Sequence, residues 1–314
     1  MPNPAVEPQP PETQGSCCGP DCCSDGEKPQ GLSAPPQVSP ETIKAAVRET
    51  YGEIARKGGE TSCCGMETPG PEKSSCCGGD AKAGFSYTFV EGDYKKLPGY
   101  LAEADLGLGC GIPTQFADLK PGETVLDLGA GAGNDAFVAR SFVGETGRVL
   151  GVDMTAEMVT KARENNRKAG FTNVEFRLGE IEHLPVDRDA VDVVVSNCVL
   201  NLVPDKRAAF SEMARVLKAG GRFCVSDIVT RGEIPPGARK AAALYAGCVS
   251  GAIPKGDYLG LIAEQGFHHI EVRKERVVEV PREVLEKHLS SPELEKWTRE
   301  GSPVVSVTVT GKKP

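Results

Sequence analysis

Cysteine is the residue in this 314-residue chain with the numbers and spacing to do chemistry: there are twelve Cys against four His. Eight of the cysteines form adjacent pairs, Cys17-Cys18, Cys22-Cys23, Cys63-Cys64 and Cys76-Cys77. Neighbouring cysteines seldom reach unstrained disulfide geometry. The Pro- and Glu-rich N-terminus also lacks the basic and apolar regions of a secretory signal. Thiol chemistry or capture of a soft, thiophilic ion is therefore favoured over a disulfide framework. Among the isolated cysteines, Cys110 and Cys248 are flanked by glycines (Gly109 and Gly111; Gly247), which implies exposed turns or close backbone approach. Cys198 directly follows an apolar run over 191–197. Cys224, within Arg222-Phe223-Cys224-Val225, reads as a small buried hydrophobe. His183 reads as a surface-loop residue and His268-His269 as strand-edge residues, not as catalysts.

The elements that must hold these thiols come from the apolar periodicity. Ser39-Pro40-Glu41 looks like an N-cap, a first-turn proline and a first-turn acid. Ile43, Val47, Tyr51 and Ile54 follow at helical spacing, giving one amphipathic helix that ends near Gly58-Gly59. From about residue 121, β-branched runs at 124–128, 148–153, 174–178, 191–197 and 222–228 alternate with helical segments near 133–143, 155–169 and 205–218. Such alternation implies a parallel sheet with helices on both faces. Further helices are expected near 236–250, 256–266 and 282–298, with strands at 268–280 and 303–310. A late strand pair closing one edge would make the sheet mixed. Residues 1–38 are Pro-, Gly-, Gln- and Ser-rich and read as a disordered tail.

One strand runs into a glycine turn, Val125-Leu126-Asp127-Leu128-Gly129-Ala130-Gly131-Ala132-Gly133. Glycine lets the backbone approach a ligand beside helix-N-terminal amides. Asp127, just ahead of the glycines, suits the carboxylate/amino region of an amino-acid-like ligand. Asp153 closes the next strand, where an acid receives ribose hydroxyls. The glycines are not spaced as GxGxxG and no dehydrogenase-like set accompanies them, so a nicotinamide cofactor is the weaker alternative. With Glu180-Ile181 after the third strand and Ser196-Asn197 ending the fourth, the set resembles the class I S-adenosylmethionine (SAM) methyltransferases.

Longer strings narrow the resemblance. Gly-Leu-Gly-Cys-Gly at 107–111, Leu-Asp-Leu-Gly-Ala-Gly-Ala-Gly-Asn-Asp at 126–135 and Gly-Val-Asp-Met-Thr at 151–155 are similar to segments of the arsenite methyltransferases. Val-Val-Ser-Asn-Cys-Val-Leu-Asn-Leu-Val-Pro-Asp-Lys at 194–206 and Gly-Cys-Val-Ser-Gly-Ala at 247–252 are the more specific matches, and the resemblance spans roughly residues 40 to 280. It implies a Rossmann-like, doubly wound α/β sheet with a C-terminal α/β extension. It implies a SAM site at Asp127, Gly129, Gly131, Asp135, Asp153, Met154, Glu180, Ile181 and Asn197. It further implies that Cys198 and Cys248 bind trivalent arsenic, while Cys110 joins an upstream cysteine in a redox step. The candidates for that partner are the pairs Cys63-Cys64 and Cys76-Cys77, with Cys77 the nearer to Cys110 and Cys64 the closer to the expected Tyr51 helix, and spacing does not choose between the pairs. A thiol reductant such as thioredoxin or glutathione then serves as co-substrate. No catalytic His or carboxylate is expected, because trivalent arsenic offers a lone pair and has no proton to remove.

These readings divide the chain into a tail (1–38), a helix with a Cys-rich loop (39–85), a SAM-binding domain (86–235) and an arsenic-binding, sheet-closing region (236–314). A net charge of −8 argues against nucleic acid as principal partner. No apolar run approaches the roughly 20 residues that span a bilayer. The expectation is a cytoplasmic protein, by default a monomer, that methylates arsenic in detoxification. The competing expectations are a methyltransferase for a small organic molecule such as a quinone or sterol, and a metalloid- or zinc-sequestering protein.

Overall fold

β1 (Thr124–Leu128) is an interior strand of a seven-stranded sheet. It pairs in parallel with β2 (Arg148–Asp153) on one side and β4 (Val191–Asn197) on the other. β3 (Val174–Leu178) continues outward from β2, and β5 (Leu217–Thr230) from β4. Two antiparallel strands, β7 (Val304–Lys312) and β6 (His268–Val277), close the β5 edge, giving the order β3-β2-β1-β4-β5-β7-β6. The mixed sheet expected from the late strand pair is therefore present. The computed structural model describes residues 39–57, 94–232, 234–235, 237, 249, 251–280 and 282–314. The tail, the 58–93 segment with Cys64 and Cys77, most of the helix expected at 236–250, and Cys248 lie outside the described residues.

Alternation along each strand sends side chains to two cores. Leu126, Leu128, Val152 and Val194 join Phe210 and Met213 of α4 (Lys206–Val216) and Tyr258 and Ile262 of α5 (Lys255–Glu264). Val125, Val149, Val193 and Val195 face the other way, onto Phe137 of α2 (Asn134–Val143) and Val159 and Ala162 of α3 (Ala156–Ala169). α1 (Pro40–Lys57) begins where its sequence signal lies, with Ser39 Oγ accepting the Thr42 N–H at 3.2 Å, and packs on α3. Residues 39–314 form one compact unit. Among the described residues no helix is long and apolar enough to cross a membrane.

Two expectations need correction. The helix expected to reach residue 218 stops at Val216, because Leu217 turns extended and pairs with Val191, starting β5 five residues before 222. A register shift follows, taken up where Gly220 adopts φ +73°. The single helix expected over 282–298 is two pieces, α6 (Arg282–Leu285) and α7 (Ser291–Glu300). Ser290 and Glu293 form a reciprocal capping box that starts the second helix afresh.

Candidate active site

The glycine turn after β1 has the geometry its composition demands. Gly129, Gly131 and Gly133 all take positive φ (65°, 52° and 99°), and a Cβ at Gly129 would lie 2.4 Å from Val199 Cγ2. The turn is tied to β2 through the Gly131 N–H, which donates to Asp153 Oδ2 at 2.9 Å, while the Thr155 N–H reaches Asp153 Oδ1 at 2.8 Å. Asp127 is 2% exposed and its Oδ2 has no hydrogen-bond partner. Asp135, in the first turn of α2, accepts the Tyr94 hydroxyl at 2.7 and 2.9 Å and Asn197 Nδ2 at 3.0 Å. Burial lifts all three acids above the ordinary carboxylate range. Asp135 reaches about 6 against the opposing hydrogen bonds of Asn197 and Tyr94. Asp127 is pushed well up by burial and then by the charges of Asp135 and Asp153; Asp153 rises despite the donors from Thr155 and Gly131. Among the described residues Lys44 is the cation of the cleft lining, and it is paired with Glu180 and Glu182.

Asn197, at the end of β4, links this cleft to Cys110. Its Oδ1 accepts from the Cys110 and Gly111 N–H groups at 3.1 and 3.3 Å, and its Nδ2 donates to the Gly111 carbonyl at 2.9 Å. The glycines around Cys110 serve close approach. A Cβ at Gly109 would stand 2.7 Å from Asn197 Nδ2, and one at Gly111 would stand 2.4 Å from Ser226 Oγ. Cys110 is accordingly buried, which removes the exposed-turn alternative for it.

Cys198 follows Asn197 directly and also lines the cleft. It holds φ +61°, a costly conformation for a residue with a Cβ, with its N–H donating to Ser226 O at 2.7 Å. The Sγ atoms of Cys110 and Cys198 and a carboxylate oxygen of Asp227 all lie within 4.8 Å of one another. Around the thiols stand Ile228, Val249, Ala252 and Trp297, an apolar wall. Asp227 is buried in β5. Its Oδ1 accepts Asn201 Nδ2 at 2.7 Å and the Ile228 N–H at 3.0 Å, and its Oδ2 accepts the Tyr258 hydroxyl at 3.3 Å. Burial lifts Asp227 to about 7 even though these donors and the nearby Lys206 favour its ionised form. Burial likewise lowers Lys206.

The remaining wall comes from α1, whose Lys44, Val47 and Tyr51 face the cleft along with Met154 and Ile181. Glu180, expected on the adenine side, is engaged by α1. It pairs with Lys44 at 2.6 Å and with Arg48, and its neighbour Glu182 is the acid that lines the cleft. The hydrogen bond from Lys44 holds Glu180 below the usual carboxylate range. Cys224 points into the opposite core, where burial pushes its thiol well up, as a packing residue should be.

A family model described as a methyltransferase domain matches residues 119–270. The arsenite methyltransferase of Halobacterium salinarum is 41% identical over 278 residues, covering 88% of this chain and 68% of that protein. The chain belongs to the arsenite methyltransferase family. The human member is 39% identical over 170 residues, 51% of this chain and 44% of the human protein, so the chain spans about half the length of that relative. The crystal structure of an arsenic(III) S-adenosylmethionine methyltransferase from Chlamydomonas reinhardtii is 31% identical. It covers 72% of this chain and 71% of its own, with a TM-score of 0.55.

Within this family member the fold brings Asp127, Gly129, Gly131, Asp135, Asp153, Met154, Ile181, Asn197 and Cys198 to one cleft. Cys110 stands close to Cys198, and Glu180, absent from the cleft lining, pairs with Lys44 and Arg48 of α1. Asp227, Tyr94, Asn201 and Tyr258 are the residues that sequence reading missed. For Asp227 a signal existed: an acid inside the apolar run Phe223–Val229 must be buried with partners.

Proposed function

We propose that this chain transfers methyl groups from S-adenosylmethionine to trivalent arsenic held by cysteine thiolates. The observation that carries the reading is the adjacency at Asn197-Cys198: one residue belongs to the buried-acid cleft and the next to the thiol cluster. The cleft fits the cofactor's charge. The buried Asp127 and Asp135 and the partly buried Asp153, all with raised pKa values, and one unpartnered Asp127 oxygen call for a cationic donor, whereas a dinucleotide pyrophosphate would meet like charge. Asp127 would hold the ammonium group, Asp153 the ribose hydroxyls, and Met154 and Ile181 the adenine, with Gly129 and Gly131 permitting close backbone approach. When bound, SAM supplies an electrophilic methyl group beside a positive sulfonium.

The protein's own part is to fix and orient the nucleophile. Cys198 anchors arsenic at the cleft, and the apolar wall around the thiols keeps water away. Cys248 belongs to the arsenic-binding set, and its neighbours Val249 and Ala252 are in the same apolar cluster. No general base is required, since the arsenic lone pair attacks. Methylation formally oxidises arsenic from the trivalent to the pentavalent state. Two electrons return from a cysteine pair formed by Cys110 and either Cys64 or Cys77, which closes to a disulfide. An external thiol, thioredoxin or glutathione, reopens it. The chain acts in the cytoplasm as a monomer.

The purified chain with SAM, arsenite and a dithiol should yield methylated arsenic, resolved by chromatography with elemental detection. Cys198→Ser should abolish the product, while Cys224→Ala should retain it. Absence of product from the unaltered chain would overturn the reading.

A further inference from the structure

Asp227 has no role in the methyl transfer just described, yet its carboxylate is within 4.8 Å of both Cys110 Sγ and Cys198 Sγ. A carboxylate buried to 1% exposure in an apolar strand is costly, and the protein surrounds it with oriented donors. Asn201 and the Ile228 amide saturate Oδ1 at 2.7 and 3.0 Å. Among the described residues Oδ2 accepts a long 3.3 Å contact from Tyr258. A carboxylate offers about four acceptor positions, so the Asp227 carboxylate, one oxygen of which lies within 4.8 Å of both sulfurs, retains acceptor capacity beside them. Asn201 is itself seated firmly: its carbonyl accepts Lys206 Nζ at 3.3 Å, and a Cβ at Gly251 would stand 1.9 Å from that carbonyl. The acceptor is thus built into the thiol site by elements on both sides of β5.

Arsenite is As(OH)3. When two thiols bind it, two As–S bonds form, two As–O bonds break, and each departing hydroxide leaves as water with a thiol proton. Oxidation states are unchanged, and one As–OH remains. Methylarsenite, treated the same way, keeps a methyl group and no hydroxyl. We propose that Asp227 is a specificity residue for this third substituent, accepting a hydrogen bond from the remaining As–OH and so favouring inorganic arsenite over methylarsenite at the thiol site. The inference rests on the arsenic reading above and adds a preference between its substrates. Set against a carboxylate in an apolar wall, a methyl group gains nothing, whereas a hydroxyl gains a charge-assisted hydrogen bond.

The test uses the full chain without SAM, kept reduced by a non-thiol reductant. Trp297, the single tryptophan, is buried in the apolar cluster with Cys110 and Cys198, so its fluorescence reports binding. Arsenite and methylarsenite are titrated separately against the unaltered chain, Asp227→Asn and Tyr258→Phe. Asp227→Asn should lower the preference for arsenite over methylarsenite by about five- to tenfold. Retained methylarsenite affinity shows that the thiols and the fold are intact. Tyr258→Phe frees Oδ2 of its competing donor and should keep or raise the preference, which serves if Asp227→Asn does not fold. Equal losses for both ligands, an unmoved ratio in Asp227→Asn, or a reduced preference in Tyr258→Phe would overturn the proposal. If the unaltered chain bound neither arsenical, the arsenic reading would fall with it; if it bound both and the ratio stayed fixed, the assignment of Asp227 alone would fail.

Discussion

In the proposed reading Asp127, Asp135 and Asp153 meet a positive ligand, and among the described residues Asp127 has no hydrogen-bond partner at its Oδ2. Replacing it with alanine should weaken SAM binding by about tenfold or more, measured by calorimetry. Because a cation prefers the ionised acids, SAM affinity should tighten as pH rises through about 6, the value to which burial lifts Asp135. Proton release on binding, seen by repeating the titration in buffers of different ionisation enthalpy, checks the sign; no release near that pH would contradict it. Cys198 illustrates a second residue-scale point. Its left-handed backbone directs a thiol between the cleft and the Asp227 network, and strain of this kind persists only where surrounding bonds over-determine it. Here the Ser226 carbonyl and the Asn197 hydrogen bonds on either side supply that constraint.

Two elements place these residues. α1 contributes Lys44 to the cleft wall and ties it to the far side through Glu180 and Glu182, at 2.6 and 3.0 Å. Lys44→Ala should therefore loosen the helix over the cofactor and weaken SAM binding by roughly two- to fivefold. The change should shrink in high salt, and melting temperature should scarcely move. A loss that is independent of salt would point to packing by the lysine stem instead. β5 is the other positioning element. Its parallel partnership with β4 ends at Asn197↔Ser226, but β7 carries the strand on to Thr230. Asp227 stands in this overrun, at the level of Cys198, which is why a strand residue can share a site with a loop thiol.

At the scale of the whole molecule, three buried acids and the partly buried Asp153, all with raised pKa values, couple stability to pH. Asp127, Asp135, Asp153 and Asp227 each bind a proton more tightly folded than unfolded. Their stabilisation is complete below the unfolded value near 3.8 and is lost as pH rises through the folded values, about 6 for Asp135 and about 7 for Asp227. The cofactor-free protein should melt at a lower temperature at about pH 8 than at about pH 5, and Asp227→Asn should flatten that slope. Added SAM should raise the melting temperature more at the higher pH, where the acids it meets are ionised. A thermal-shift series across pH tests both statements. Much of this molecule was legible in the chain itself, because the relevant signals are local. Strand and helix periods, the glycine turn, and Asp127 and Asp153 at consecutive strand ends each depend on residues close in sequence, and the sheet lines those ends up. The helix break at Ser290 was equally local but was masked by an apolar pattern that continues across it. The pairing of Glu180 depends instead on cations from α1, far away in the chain. Tertiary structure alone decided that Cys110, Cys198 and Asp227 meet. They come from three separate segments, and their meeting depends on the Asn197 clamp, on the close approach of Gly111 to Ser226, and on β7 extending β5. Those are facts of strand order and register, which no spacing along the sequence contains.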